Sequence, residues 1–374
     1  MDLNFAPAVG HFDQLCCRNG KLFVQGWLFA PDQAIDSITL FLDGDLVASF
    51  PCRLREDVGA AYPWIPYAHS SGFSFNPDQV ETTQRVDIVG LWKNSPVARL
   101  STVFRTDLDE IVSLPPRQLM KRVSFGVSDY LFKLHGLKMF GDLMEQIGRF
   151  SPLSQVRCML DWGCGCGRVT RHFLLEQDRP IIHGCDIDGE AVEWCGHNLD
   201  SAEFRQIEPY PPTPYADGMF DLVTACSVFT HLSEALQTEW LKEMRRIIVP
   251  GGILLASTHG RFAFLSDYHR SLALYKRVFP LRGVHPRWIR ILLRCGSLFP
   301  DIVKNLFDRS PCLVEVRLEN DLALEGIAPA GYYLSVYQSR SYVYRNWGKY
   351  FEVLDYINLG LNAHQDLVVL RRPA

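Results

Sequence analysis

Short apolar runs alternate with an amphipathic segment in the second half of this chain of 374 residues. Residues 233–248 have helical spacing, and one side of that helix is formed by Leu236, Trp240, Met244 and Ile247. Strands that alternate with helices predict a mostly parallel sheet that is covered on both faces. The apolar runs that we interpret as its strands are 156–160, 181–188, 220–227 and 253–258.

Two more apolar runs, 351–357 and 366–372, lie near the C-terminus. The connection between them, 358–365, is short enough for antiparallel pairing. We therefore interpret these runs as a pair of adjacent strands.

Residues 1–105 have a different pattern, in which strand-forming runs recur without a helical stretch of comparable length. Asp43 and Gly44 lie between two of these runs and form a hairpin signal, because glycine can take a positive φ. The pattern predicts an antiparallel β-sandwich, in which we interpret Trp27, Trp64 and Trp92 as core aromatic residues in preference to surfaces that stack on a sugar. The predicted strands are 22–29, 37–42, 46–52, 72–75, 86–92 and 98–104.

A helical pattern opens after Pro115 and Pro116 and continues to residue 150. Glycines at positions 126, 136 and 141 are expected to break it into short helices. This segment is either a cap over a ligand or a simple linker. We therefore predict three regions: a β-sandwich accessory domain at 1–105, a helical linker or cap at 106–152, and an α/β domain at 153–374 with a lid insertion at about 260–331.

The strand at 156–160 leads into the segment LDWGCGCGR, residues 160–168, where Asp161 precedes three alternating glycines, Gly163, Gly165 and Gly167. Glycines at the end of a strand let the backbone approach a ligand, which is typical of a nucleotide-type cofactor site. A dinucleotide site would need a third small residue where this chain has Arg168 or, in the other register, Thr170. The spacing therefore does not fit NAD.

Asp186 ends the next apolar strand, roughly 20 residues beyond the glycines, where a carboxylate can hold the two hydroxyls of a ribose. Each feature also has a plainer interpretation, since a glycine-rich turn can be an ordinary loop and a strand-ending aspartate can cap a helix. The agreement of their spacing favours a cofactor site.

The motif acid-x-Gly-x-Gly-x-Gly resembles the first motif of class I methyltransferases that depend on S-adenosylmethionine (SAM). The resemblance covers about residues 153–372 and implies an α/β fold, a seven-stranded Rossmann-like methyltransferase sheet with helices on both faces, whose last strand runs antiparallel to the others. It implies SAM as the cofactor. The cofactor-binding residues expected from it are Asp161, Gly163, Cys164, Gly165, Gly167, Asp186, Ile187 and Ser227.

Composition and charge narrow the class of protein to which the chain can belong. A content of 47% hydrophobic residues can fill two cores, and a net charge of −4 argues against general nucleic-acid binding. No membrane span or signal peptide is visible, and the eleven cysteines are scattered, which suits reduced thiols in the cytoplasm. Cys164 and Cys166 have no second Cys or His pair at zinc-site spacing, so we interpret them as side chains that fill the turn and predict no metal site.

Two histidines are candidates for the catalytic base. His231 follows the fourth strand of the predicted sheet and His259 follows the fifth, so both should lie at the carboxyl edge where ligands of such sheets bind. Each could instead cap a helix or bond the backbone. Tyr337, Gln338 and Arg340 precede the closing strands and are secondary candidates for binding the substrate.

The predicted lid contains a basic amphipathic segment at 286–295, with Arg287, Arg290 and Arg294 on one helical face. Such a face can contact an anionic substrate or a membrane surface, or it can simply be solvated.

The N-terminal segment GWLFAPD, with the later SSGFSF, resembles a small β-sandwich module that accompanies bacterial glycosyltransferases and sugar-modifying enzymes. Together the two resemblances favour O-methylation of a sugar or surface glycan. The sandwich either contacts the glycan or only stabilises or dimerises the enzyme. The alternatives are a methyltransferase for a small metabolite or lipid, at nitrogen or carbon, and a non-catalytic glycan-binding protein.

Overall fold

The computed structural model describes residues 5–78, 83–105, 113–124, 128–270, 307, 311–316, 326–329 and 331–374. The chain divides into two compact units. Unit 1 consists of Met1–Leu114, Ser128–Met144 and Leu359–His364, and unit 2 consists of Pro115–Val127, Glu145–Asn358 and Gln365–Ala374.

Unit 1 contains two antiparallel four-stranded sheets, as the N-terminal pattern predicts. Their strand orders are β1-β2-β6-β5 and β4-β3-β7-β8. The turn between β3 and β4 has φ of +50° at Asp43 and +92° at Gly44, and the missing Cβ of Gly44 lets that residue adopt its φ without strain. The elements are β1 (Val9–Arg18), β2 (Lys21–Phe29), β3 (Ser37–Leu42), β4 (Asp45–Pro51), β5 (Arg53–Leu54), α1 (Glu56–Ala61), β6 (Ser70–Phe75), β7 (Thr83–Trp92) and β8 (Ser95–Arg105).

The two sheets share one hydrophobic core, to which β2 contributes Leu22, β3 contributes Leu40 and β7 contributes Ile88. The expectation of three core tryptophans is wrong. Trp92 is 36% exposed with the Lys93 ammonium above its ring, and Trp27 and Trp64 are only half-buried. Trp92 lies next to the β7–β8 turn, at the end of the sheet.

Two helices follow, α2 (Arg117–Val123) and α3 (Asp129–Phe150). The expectation that glycines 136 and 141 would break the second helix is wrong, because α3 continues through both. A Cβ atom at Gly141 would lie only 3.4 Å from the Cα of Thr102 on β8, so this glycine permits close packing within unit 1 rather than a break. Gly126 lies outside the described residues.

Unit 2 contains a seven-stranded sheet in the order β11-β10-β9-β12-β13-β17-β16, as the resemblance implies. The neighbouring strands among β11, β10, β9, β12 and β13 pair in parallel, and β17 runs antiparallel to β13. The strands are β9 (Cys158–Trp162), β10 (Ile181–Asp186), β11 (Glu203–Gln206), β12 (Phe220–Ala225), β13 (Ile248–Thr258), β16 (Glu352–Leu361) and β17 (Gln365–Arg371). A separate antiparallel pair is formed by β14 (Leu313–Val316) and β15 (Ser335–Gln338).

The amphipathic segment at 233–248 forms a helix as predicted. Ser233 caps its first turn by accepting a hydrogen bond from the backbone N–H of Leu236. Its apolar side buries Trp240, Met244 and Ile247 in the core of unit 2. The helices of this unit after α3 are α4 (Thr170–Phe173), α5 (Gly189–Asn198), α6 (Glu234–Ile247), α7 (Arg261–Arg270) and α8 (Arg340–Asn346).

The predicted basic segment at 286–295, with Arg287, Arg290 and Arg294, lies outside the described residues. Within the described part of the chain, no helix combines the length and apolar character needed to cross a membrane.

Candidate functional site

The glycine turn begins at the carboxyl end of β9. Gly163, Gly165 and Gly167 have φ of +77°, +51° and +69°, a region that side chains disfavour. A Cβ atom would lie 2.4 Å from the Val228 side chain at Gly163 and 2.5 Å from that of Val123 at Gly165. Both conformation and space therefore require glycine, which explains the motif.

Asp161 supports this turn from inside the sheet. Its carboxylate accepts hydrogen bonds from the hydroxyls of Thr170, at 2.6 Å, and Thr224, at 3.0 Å. The side chain is buried, and this burial raises its pKa. The carboxylate thus ties β9 to β12 and to the helix that follows the glycines.

Asp186 joins the two predicted motifs. One carboxylate oxygen accepts the backbone N–H of Gly165 at 2.7 Å, and the other accepts that of Asp188 at 2.9 Å. Burial raises the pKa of Asp186 to about 6. Each oxygen keeps a second lone pair for a ligand, and Ile187, half-buried, follows it on the same edge.

Ser227 lies in the loop after β12 and is one of the few residues other than glycine with a positive φ, at 60°. Its N–H donates to the Ser257 hydroxyl at 2.7 Å, and its own hydroxyl bonds the side chain of Gln365. These contacts hold Ser227 in a backbone conformation that serine rarely adopts. Such unusual conformations are common in binding loops.

Cys164 and Cys166 are buried within the glycine turn. Burial raises the pKa of the Cys166 thiol to about 12, and a hydrogen bond with Cys195 and burial raise that of Cys164. Protonated thiols in these positions fill space, as expected. Among the described residues, no group of three or more metal-ligating side chains is placed to hold an ion.

A pair of residues on α2 covers the turn, and neither was predicted from the sequence. Val123 packs against Gly165, and Arg122 forms ion pairs with Asp188, at 2.8 Å, and Glu190, at 2.5 Å. Since Asp188 and Glu190 begin α5, these contacts fix α2 beside the strand end that carries Asp186. The only signal in the sequence was the amphipathic pattern of the segment, which indicates a helix without naming its partner.

The two histidines lie together at the carboxyl edge, as predicted. The ring centroids of His231 and His259 are 6.1 Å apart. Nδ1 of His231 lies 2.8 Å from the carbonyl oxygen of Leu334, which can only accept, so Nδ1 carries the proton and Nε2 has the free lone pair. Burial lowers the pKa of His231 to about 4, so the imidazole is neutral at physiological pH.

Strand β15 crosses this edge and brings Tyr337 and Gln338 to the histidines. The N–H of Gln338 donates to the carbonyl of His259 at 2.8 Å, and the Tyr337 ring stacks on the His259 ring at 5.3 Å. Tyr333, which was not predicted from the sequence, stacks on His231 with the ring centroids 3.9 Å apart. The side-chain amide of Gln338 is fully buried, and within the described residues neither its oxygen nor its nitrogen has a hydrogen-bond partner.

Arg340 is placed differently. It begins α8 on the exposed surface, and its guanidinium lies over the rings of Tyr344, at 5.4 Å, and Tyr356, at 5.7 Å. No contact in the described part of the chain joins it to His231 or His259. The structure therefore groups Tyr337 and Gln338 with the histidines and leaves Arg340 outside that group.

Comparison with known proteins agrees with this geometry. Residues 160–256 match the family model described as a methyltransferase domain. This segment is similar to a methyltransferase domain, and we refer to it by that name. Its cofactor is SAM, as the motif at 161–167 implies.

Three known methyltransferases are similar to part of the chain. Malonyl-(acyl-carrier protein) O-methyltransferase 1 of Coxiella burnetii is 29% identical over 146 residues, which are 38% of this chain and 47% of that protein. Ajmaline N-methyltransferase of Rauvolfia serpentina is 27% identical over 39% of this chain and 46% of its own. The ubiquinone/menaquinone biosynthesis C-methyltransferase UbiE of Geotalea daltonii is 25% identical over 36% of this chain and 58% of its own. The chain spans about half the length of these relatives, whose names cover three kinds of acceptor atom.

The residues of the methyltransferase domain fit the cofactor. The glycine turn leaves backbone without side chains at the carboxyl end of β9, and Asp186 holds a carboxylate with free lone pairs at the end of β10. A ribose diol donates two hydrogen bonds to such a carboxylate. The turn and Asp186 would therefore hold the adenosyl half of SAM.

Proposed function

We propose that the chain is a SAM-dependent O-methyltransferase whose acceptor is a hydroxyl of a sugar or glycan. The observation that carries this proposal is the tautomer of His231. A neutral imidazole whose Nδ1–H is fixed by a carbonyl has Nε2 ready to accept a hydroxyl proton. The cofactor supplies an electrophilic methyl group on a sulfonium.

The chain has to bring acceptor and cofactor into line and remove one proton. We expect the acceptor oxygen to lie against His231, which takes the hydroxyl proton on Nε2 as the methyl group is transferred. Alignment of the two reactants and exclusion of water lower the barrier without covalent participation by the protein. We expect His259, with the Tyr337 ring stacked on it, to orient the acceptor from the side opposite His231.

A polar, hydroxyl-bearing acceptor suits the rest of the group. The amide of Gln338, which has no hydrogen-bond partner among the described residues, can both donate and accept, and the rings of Tyr333 and Tyr337 offer flat apolar surfaces. A sugar presents both kinds of surface. The resemblance of the N-terminal region to modules of sugar-modifying enzymes supports the same class.

Methyl transfer from labelled SAM to a panel of acceptors tests this proposal. The panel contains nucleotide sugars, free glycans, small amines and a quinone precursor, and mass spectrometry identifies the methylated atom. Transfer to a sugar hydroxyl is the expected result. Transfer to nitrogen or carbon of another acceptor would replace the proposal with the metabolite or lipid alternative, and binding of glycan without turnover would indicate a non-catalytic protein.

Location in the cytoplasm and lack of nucleic-acid binding stay predictions from composition. Contact of residues 286–295 with an anionic membrane stays a prediction from the basic amphipathic pattern of that segment.

A further inference from the structure

Unit 1 contains a cavity with a volume of about 130 Å³. Every residue that lines it belongs to unit 1, and the lining comes from β1, β2 and β8, from α3, and from the turn 362–364 between β16 and β17. One water takes up roughly 30 Å³ in the liquid, so the cavity has room for a small organic ligand rather than for a single water.

Three histidines from three different elements line this cavity: His11 on β1, His135 on α3 and His364 in the β16–β17 turn. All three are half-buried, and the ring centroids of His11 and His135 are 5.1 Å apart. Burial lowers the pKa of His11, so this imidazole is neutral at pH 7 and presents one donor and one acceptor nitrogen. Within the described part of the chain, these rings are not placed to share a metal ion.

The aromatic part of the wall consists of Trp27 and Tyr62, whose ring centroids are 5.7 Å apart. Phe29 stacks on the indole of Trp27 at 5.6 Å and lies edge-on to Tyr62 at 5.1 Å. Phe29 is fully buried, so it fixes the half-buried indole before a ligand arrives. A flat apolar surface that is already ordered binds a ligand without the cost of ordering it.

The charges at this cavity are balanced. Among the described residues that line it there is no carboxylate, and Lys138 is the one lysine or arginine. The ammonium of Lys138 forms an ion pair with Asp142, and the other carboxylate oxygen of Asp142 accepts the N–H of Asn362 at 2.7 Å. The lysine therefore has its counter-ion, and Asp142 also fixes the turn that carries His364.

We propose that this cavity binds one uncharged sugar ring, which makes unit 1 a sugar-binding module. Sugar hydroxyls donate and accept hydrogen bonds, as imidazoles do, and the C–H face of the ring is apolar and suits the indole of Trp27. A purely apolar ligand would cover the polar imidazoles at a cost, and an anion would meet a lysine that is already paired. The proposal does not depend on SAM or on His231.

Saturation-transfer NMR on the full chain, without SAM, tests the proposal. The probes are the methyl glycosides of glucose, galactose, mannose and N-acetylglucosamine. At least one should bind, with a Kd on the order of 1 mM, as the binding efficiency of small ligands allows. Trp27→Leu and His135→Gln should each weaken this Kd by about two- to tenfold, the effect of losing one modest contact.

Two variants outside the cavity lining are the matched controls. Trp92→Leu removes a half-exposed tryptophan of β7, and His69→Gln changes an exposed histidine, both in unit 1. Neither should change the Kd. Urea unfolding and circular dichroism check that each variant is folded, so a loss of affinity in Trp27→Leu or His135→Gln can be assigned to the cavity.

A charged analogue tests the class of ligand. Glucuronate differs from glucose in its carboxylate and should bind no more tightly, and raising NaCl from about 0.05 to about 0.5 M should leave the Kd of the neutral glycoside unchanged. Tighter binding of glucuronate that salt weakens would overturn the proposal in favour of an anion site.

Two further results would overturn the proposal. One is the absence of binding by all four glycosides. The other is wild-type affinity in Trp27→Leu and His135→Gln with loss of affinity in His231→Ala, which would place the sugar at the proposed acceptor site and leave the proposed function standing. Intact sugar binding in a chain that transfers no methyl group would instead reject the proposed function alone.

Discussion

At the scale of single residues, Asp186 connects the two motifs of the proposed cofactor site. Its carboxylate accepts N–H groups from the glycine turn and from the start of α5, so it shapes the turn as well as offering lone pairs to a ligand. The position of a strand-ending acid after the glycines was predictable, because the βαβ unit fixes the spacing. The hydrogen bond from Gly165 to Asp186 was not predictable, because a sequence does not show whether a carboxylate will accept backbone N–H groups, bind a ligand, or do both.

The raised pKa of Asp186 predicts pH-dependent cofactor binding. A carboxyl whose pKa lies near 6 in the ligand-free protein takes up a proton as pH falls, and the protonated form cannot accept both ribose hydroxyls. Affinity for S-adenosylhomocysteine should therefore be about tenfold weaker at pH 5 than at pH 7, the change that one pKa unit produces. Calorimetry over this range measures it.

Asp186→Asn is the matched control for that prediction. An amide does not titrate, so the variant should bind weakly and equally at both pH values. The raised pKa of Asp186 also makes the stability of the folded protein depend on pH. Because the folded-state pKa is raised, the contribution of Asp186 to stability is fully present below about pH 4 and is lost as pH rises through about 6. A pH-independent Kd in the wild-type chain would contradict the raised pKa.

His231 gives a second prediction at this scale. As the general base it should contribute about 10² to 10⁴ to turnover, so His231→Ala should lose that factor with SAM affinity unchanged. Because its pKa is lowered to about 4, activity with saturating SAM should stay flat from pH 5 to 8 and fall only below that range. His197→Ala, an exposed histidine on α5, is the control. An inflection near pH 6.5 that His259→Ala removes would make His259 the base instead.

At the scale of elements, the strands and helices with a clean period were predictable and the irregular ones were not. β3 has the predicted bounds, and α6 differs from its predicted range by one residue at each end. β1 was missed because a bulge between Phe12 and Gln14 breaks the alternation of buried and exposed positions. β15 was missed because it has four residues, all of them buried, and pairs outside the main sheet.

Helix α2 depends on one side chain for its position at the glycine turn. Arg122 is 16% exposed and Asp188 is 6% exposed, so loss of the arginine leaves a nearly buried carboxylate without its counter-ion. Arg122→Ala should lower the free energy of unfolding by about 1.5 to 3 kcal/mol and speed amide exchange in α2. Urea unfolding and hydrogen-exchange mass spectrometry measure these two effects.

Glu190→Gln is the control on the same arginine. Glu190 is 65% exposed, and an exposed ion pair contributes about 0 to 1 kcal/mol, so this variant should exchange like the wild type. If Arg122→Ala also exchanged normally in α2, packing of Val123 rather than the ion pair would hold the helix.

At the scale of the whole molecule, the chain passes between its two units several times. Residues 128–144 and 359–364 belong to unit 1, although the segments beside them belong to unit 2. Apolar periodicity identifies helices and strands but does not indicate which core a helix joins. The helical pattern before the methyltransferase domain therefore could not reveal that α3 contributes Leu134 to the core of unit 1.

The two cores predict that stability and cofactor binding can be separated. Leu40 on β3 and Met244 on α6 are both fully buried, one in each core. Replacing either with alanine should cost about 2 to 5 kcal/mol. Leu40→Ala should increase amide exchange in β2, β3 and β7 and change the Kd for S-adenosylhomocysteine by less than about twofold, as expected for a defect confined to unit 1.

Met244→Ala should show the opposite pattern, with faster exchange in β12 and β13. Saturating S-adenosylhomocysteine should restore protection there, since ligand at 100 times its Kd stabilises a binding unit by about 2.7 kcal/mol, and it should leave exchange in unit 1 unchanged. Hydrogen-exchange mass spectrometry of both variants, with and without ligand, resolves the units by peptide. If Leu40→Ala increased exchange in β12 and β13 as strongly as in β3, the two cores would unfold together and cofactor binding would depend on both.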